Sequence, residues 1–140
     1  MIKQVINLVK YDWKVTIFYF PTNEQLDEIE EILSRLNCNI ESINKAKYVL
    51  TLANTGFCCT NDKLKESVLV ISQFSSTGEL LHTATHEVYH LVSSICRYYN
   101  IDYNGELPAY LIGDIMNEIC DVICPIIADK EKERVYYNNV

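Results

Sequence analysis

His86, Glu87 and His90 form H-E-x-x-H within Thr85-His86-Glu87-Val88-Tyr89-His90. On a helix, residues four apart lie one above the other on the same face. Two imidazoles at that spacing can each offer a ring nitrogen to one Zn²⁺ at ~2.0–2.1 Å. Glu87, one residue on from His86, can reach a water held by that metal and act as general base. The chemistry this spacing serves is metal-assisted hydrolysis. Two of the chain's three histidines fall in the motif.

The flanks predict the helix that such a pair requires. Leu80, Leu81, Ala84, Val88, Leu91, Val92 and Ile95 recur at helical spacing, and no Pro or Gly interrupts Glu79 to Asn104. Ser76 or Thr77 is the expected N-cap, with Glu79 in the first turn. The plain alternative is an amphipathic core helix whose histidines make ordinary hydrogen bonds.

Catalytic zinc usually takes three protein ligands and keeps one position open. A third His in a following x-x-G-x-x-H is absent here, since Ser93 and Cys96 occupy those places. A continuous helix carries Cys96 well round from His90, which excludes it. The carboxylates downstream are Glu106, in Glu106-Leu107-Pro108-Ala109-Tyr110, and Asp114. A helix ending at Tyr99 runs ~14 Å past His90. Residues 100–105 can return ~18–20 Å when extended, so Glu106 reaches the metal only if the connection doubles back or the helix stops early. A tight helical hairpin instead sets Asp114 opposite His90. With Glu106 as ligand, Asp114 and Tyr110 become groups able to orient an imidazole. Without a metal, Glu106 is an acid favoured by the helix dipole.

The elements around these residues follow from pattern. Val5 to Val9 and Val15 to Phe20 read as strands, with Tyr11-Asp12 turning between them. Thr22 or Asn23 caps a helix to about Leu36, its buried stripe being Leu26, Ile29, Ile32, Leu33 and Leu36. Asn37 to Lys45 reads as polar connection with at most one helical turn. Tyr48 to Ala53 reads as a strand that resumes at Phe57 to Thr60, and Ser67 to Phe74 as another. A second long helix spans Glu106 to Ile127, with Pro108 in its first turn and Pro125 set to kink or end it. The expected domain is 1–128, followed by a frayed polar tail over 129–140. Strands, helix, strands, helix, helix is an α+β order.

The chain has 140 residues, enough for one hydrophobic core. Its net charge of −7 argues against nucleic-acid backbone binding. Lys45, Lys47, Lys63 and Lys65 are too few for a basic patch. No apolar run approaches the ~18 residues of a membrane helix, and Met1-Ile2-Lys3-Gln4 has no signal-peptide character. The expectation is a cytoplasmic or virion-associated protein without nucleic-acid or membrane partners. The six cysteines include no C-x-x-C pair, which argues against a zinc ribbon. They are expected as reduced, packed thiols, Cys120 and Cys124 sharing one helical face.

Four segments carry a resemblance: Asn54-Thr55-Gly56-Phe57, Glu66 to Ile71, Thr85 to Leu91, and Glu106-Leu107-Pro108-Ala109-Tyr110-Leu111-Ile112-Gly113. Together, over about residues 1–120, they resemble small zincin-like proteins of phages and prophages of gut Bacteroidales. The last segment is also similar to the Glu-x-x-Ala segment of ImmA/IrrE-like peptidases of mobile elements. The resemblance implies a gluzincin-type site with His86, His90 and Glu106 as zinc ligands and Glu87 as base. It implies a minimal zincin-like fold, with a small mixed sheet packed on the H-E-x-x-H helix and a Glu-bearing helix after it.

The expected function is that of a zinc-dependent hydrolase, a metallopeptidase acting on a peptide or protein substrate. Tyr110, Tyr89 and His82 are the candidate oxyanion donors. Tyr48 to Phe57 is the expected sheet edge for an extended substrate. The alternative is a non-enzymatic virion or assembly component, bound to phage structural proteins, that keeps the fold with structural zinc or none.

Overall fold

A computed structural model describes residues 2–49 and 51–138. Among these the fold is α+β, with four strands in one mixed sheet and four α-helices. The strands are β1 (Ile2–Leu8), β2 (Trp13–Tyr19), β3 (Gly56–Asn61) and β4 (Glu66–Ile71). The helices are α1 (Leu26–Arg35), α2 (Ile40–Val49), α3 (Thr77–Tyr99) and α4 (Glu106–Asn138). The sheet order is β1-β2-β4-β3, so β1 and β3 are its edges. β2 and β4 run parallel, and both edges pair antiparallel.

Side-chain alternation divides the core between the two faces of the sheet. Val15, Ile17 and Tyr19 of β2 and Leu69 and Ile71 of β4 pack with Leu80, Ala84, Leu91 and Ile95 of α3 and with Ile115 and Ile119 of α4. Phe18, Val68 and Val70, one residue out of phase, pack instead with Ile29 and Leu33 of α1, and with Ala46 and Val49 of α2. Each aliphatic side chain so buried contributes ~1.5–3 kcal/mol. The sheet therefore lies between two helical layers, and the H-E-x-x-H helix is pinned beneath it along its apolar stripe.

The expected α3 forms as its sequence predicts. The Ser76 hydroxyl accepts the Glu79 N–H at 3.1 Å, and Asn100 ends the helix in the left-handed region at φ 55°. Thr22 and Gln25 form a capping box at the turn before α1. Three expectations fail. The segment read as polar connection and strand is α2, because Ala46 and Val49 dock on the face that β3 and β4 leave open. The second half of that expected strand is a turn before β3. The second long helix does not end at Ile127: α4 continues through Pro125, which removes one helical N–H donor without ending the helix, and runs to Asn138. Residues 139 and 140 lie outside the described residues.

The cysteine expectation also changes. Cys38 and Cys59 form a disulfide. Cys59 points to the α1/α2 face of β3, where the connection between those helices brings Cys38. Adjacent Cys58 points the other way and stays a free thiol, as do Cys96, Cys120 and Cys124.

Candidate functional site

α3 and the β3 edge build the site together. The Asn54 backbone, at φ 61°, donates its N–H to the Gln73 carbonyl at 2.7 Å. Its side-chain oxygen accepts the Ser75 N–H, and its amide donates to the Ser75 hydroxyl, each at 2.9 Å. The turn before β3 is thereby tied to the residues that cap α3. Gly56 is delivered onto the first half of that helix. A Cβ at Gly56 would lie 2.7 Å from Glu87 Cγ, 2.9 Å from Glu87 Oε1 and 2.9 Å from Thr83 Cγ2. Glycine is needed here for close approach, not for an unusual backbone angle.

Glu87 is held in the space that Gly56 leaves and is only 5% exposed. Burial pushes its pKa from 4.5 to about 7, against the opposing pull of the Lys45 charge. A carboxylate so placed exchanges a proton near neutral pH. His86 and His90 stand on the exposed side of the same turn, with Nε2 atoms 3.1 Å apart. Burial, the neighbouring His86 and Lys45 hold the His90 pKa below its ordinary value. A neutral imidazole is the form that ligates metal.

The pair passes a simple geometric test for a metal. Two nitrogens 3.1 Å apart and each ~2.0–2.1 Å from one Zn²⁺ would subtend about 95–102° at the ion, somewhat below the tetrahedral angle. Without metal, one Nε2–H donating to the other nitrogen satisfies the pair.

These groups line one cavity of about 570 Å³. Gly56, Cys58 and Thr60 supply its β3 wall, Ser42 and Lys45 its α2 wall, and His86, Glu87, His90, Ser94 and Arg97 its α3 wall. The Thr60 and Ser67 hydroxyls lie 2.7 Å apart, and Ser67 accepts the Trp13 indole N–H at 3.0 Å. Burial and the Glu87 charge push the Cys58 thiol up to about 12, so it is a neutral wall residue at physiological pH.

The other expected site residues lie elsewhere. Glu106 is exposed at the first position of α4, with no side-chain hydrogen bond or ion pair among the described residues. Asp114 and Tyr110 line a different cavity, with Asn7 to Tyr11, beside the β1 edge and away from the β3 edge. Tyr89 packs edge-on against both His90 and Tyr103. His82 lies 3.9 Å from Glu79. Among the described residues, no cluster of three or more His, Cys, Asp or Glu side chains is arranged to hold a metal. The structure thus brings His86, His90 and Glu87 into one cavity and does not gather Glu106 with them. The edge expected at Tyr48 to Phe57 is instead β3 itself.

Sequence reasoning gave no role to the Gly56 cradle or to Lys45 and Arg97 of the cavity wall. A glycine opening a short β-rich run signals close backbone approach. Arg97, seven residues after His90, recurs on nearly the same helical face. No helix among the described residues is long and apolar enough to cross a membrane. Comparison with protein-family models, curated proteins and solved structures finds no match for this chain.

Proposed function

We propose that this protein is a zinc-dependent peptidase of minimal zincin-like design. His86 and His90 hold the metal, Glu106 supplies the third donor, and Glu87 is the general base. The observation that carries the reading is the convergence of the two Nε2 atoms, 3.1 Å apart, in one cavity with a buried carboxylate of pKa about 7. Glu106 does not line that cavity, and its place as third donor follows from the E-x-x-A resemblance alone. A cavity of about 570 Å³ falls within the ~300–1,000 Å³ of small-ligand sites, which favours a substrate cleft over a closed structural centre.

Zn²⁺ bound by these residues supplies Lewis acidity towards a carbonyl oxygen and acidifies water. The protein's own groups do the rest. β3 is the outer strand, so its free edge can pair with an extended substrate and hold the backbone across α3. Glu87 takes a proton from the attacking water and returns it to the leaving amine nitrogen. The Gly56 cradle fixes where its carboxylate sits.

The experiment is metal analysis of purified protein, followed by a peptide-library cleavage assay on wild type and Glu87→Gln. The expected outcome is about one zinc per chain in both. Cleavage should fall by several orders of magnitude in Glu87→Gln. Loss of zinc from Glu87→Gln would make Glu87 a ligand. Metal-loaded wild type that cleaves nothing would favour a non-enzymatic role.

A further inference from the structure

Lys45 and Arg97 are the two basic side chains on the cavity wall beside His86, Glu87 and His90. The chain carries 19 acidic residues against 12 Lys and Arg, so carboxylate partners are in surplus. Lys3, Arg35, Lys47 and Lys65 each pair with one. Lys47, two residues from Lys45 on α2, reaches Glu30 at 2.8 Å. Lys45 and Arg97, like Lys10, Lys14 and Lys63, make no ion pair among the described residues, and of these five only Lys45 and Arg97 line this cavity, which Asp62 also lines. On an acidic molecule, these cations left open at the candidate cleft call for a ligand of opposite charge.

Their spacing assigns them different places. Lys45, on α2, lines the cavity together with Gly56, His86 and Glu87, so it belongs to the catalytic end. Arg97 is seven residues beyond His90 on α3, ~10 Å along the axis. That is about three residues of extended peptide at ~3.3 Å each. β3 extends the same way: Gly56 touches Thr83 and Glu87, and Thr60, four residues on, still lines the cavity.

We propose that this cavity selects peptides by a carboxylate, seated on Arg97 about three residues from the bond cleaved, with Lys45 drawing the anionic segment in. The guanidinium offers a fork of N–H donors that matches a carboxylate in geometry as well as charge. The carboxylate is either an Asp or Glu side chain or the free C-terminus. This substrate class rests on the peptidase reading above.

The test uses fluorescent peptides of one neutral sequence. A Glu is stepped from one to five positions on either side of the centre, each peptide is paired with its Gln counterpart, and each is made with free and amidated C-termini. Binding to Glu87→Gln protein is read by anisotropy, and cleavage by wild type is read separately. Glu peptides should bind about tenfold tighter than their Gln counterparts, and more weakly at high salt. Amidation that removes the preference identifies the C-terminus as the source; persistence after amidation identifies the side chain. Arg97 is exposed, so Arg97→Gln should keep the fold and lose most of the preference, and Arg97→Glu should turn it towards Lys peptides. Equal binding of all charge forms, or a preference untouched by both Arg97→Gln and Lys45→Gln, overturns the proposal. Charge-selective binding with no cleavage by wild type removes the peptidase reading and supports carboxylate recognition; cleavage with no charge preference does the reverse.

Discussion

Replacing Gly56 by Ala tests whether the β3 edge shapes the position of Glu87. The added Cβ would lie 2.7 Å from Glu87 Cγ and 2.9 Å from both Glu87 Oε1 and Thr83 Cγ2. Carbon atoms rest at ~3.5 Å or more, so these neighbours must withdraw by about 0.6–0.8 Å. Glu87 and Thr83 are both buried on α3, whose apolar stripe is fixed beneath the sheet. Overpacking of this kind costs ~1–3 kcal/mol. The expected result is a fall in unfolding free energy of that size in urea, with an unchanged denaturant slope, and a larger fractional loss of peptide cleavage. The double-mutant cycle with Glu87→Ala makes the test specific. Truncating Glu87 removes the first two of the three clashes, so Gly56→Ala should cost at least about 1 kcal/mol less in that background. Additivity within ~0.5 kcal/mol would show that Gly56 and Glu87 do not press on each other, and the cradle argument would fail.

Three further outcomes are expected. Glu106→Ala should weaken zinc binding in a competitive chelator titration more than Asp114→Ala, because the E-x-x-A resemblance gives Glu106 the third position; the reverse order would remove Glu106 from the ligand set. In zinc-stripped protein, Glu87 binds its proton more tightly folded than unfolded, its pKa rising from 4.5 to about 7. Its contribution to stability is therefore greatest below pH 4.5, is lost as pH rises to 7 and is flat above, a change of about 1–3 kcal/mol. Glu87→Gln should flatten that part of the pH–stability curve, which chemical denaturation at several pH values measures. The Cys38–Cys59 disulfide closes a loop of sequence separation 21, and the chain-entropy estimate for such a loop is about 3 kcal/mol. Reduction, or replacement of both cysteines by Ser, should lower stability by up to that amount, and unchanged denaturation midpoints with and without reductant would refute it.

What was legible in the sequence was what depends on near neighbours along the chain. The α3 stripe, its Ser76 cap and the facing of His86 and His90 are all set within a few residues, so helical periodicity suffices to place them. β2 and β4 were legible because a buried central strand has apolar residues on both faces. α2 was not: Lys45, Lys47 and Tyr48 are exposed, and its small buried face of Ala46 and Val49 acquires meaning only when β3 and β4 supply the surface beneath. The Cys38–Cys59 bond was hidden for a related reason. Residues 58 and 59 are equivalent in sequence, and only strand alternation sends one thiol to the cavity and the other to the α1/α2 face.

The same division of near and far explains why the site is asymmetric. H-E-x-x-H is a local arrangement, and a helix alone can present two imidazoles to one ion. The raised pKa of Glu87 is not local, because it comes from burial beneath an edge strand that arrives from about thirty residues upstream. Nor is the cationic wall of the cavity, because Lys45 arrives on α2 and Arg97 on the far end of α3. Under the proposed reading the contributions are separable: α3 presents the two imidazoles, α4 would supply the third donor, and β3 with α2 would shape the surroundings of Glu87, with Arg97 at the far end of α3. Substitutions in the two parts should separate accordingly. His86→Ala or His90→Ala should abolish zinc binding while leaving Glu87 with its raised pKa, whereas Gly56→Ala and Lys45→Gln should leave zinc stoichiometry intact and alter the surroundings of Glu87. In zinc-stripped protein, Lys45→Gln removes the charge that pulls the Glu87 pKa down, so the part of the pH–stability curve set by Glu87 should move to higher pH. A move to lower pH would mean that Lys45 acts on Glu87 through something other than its charge.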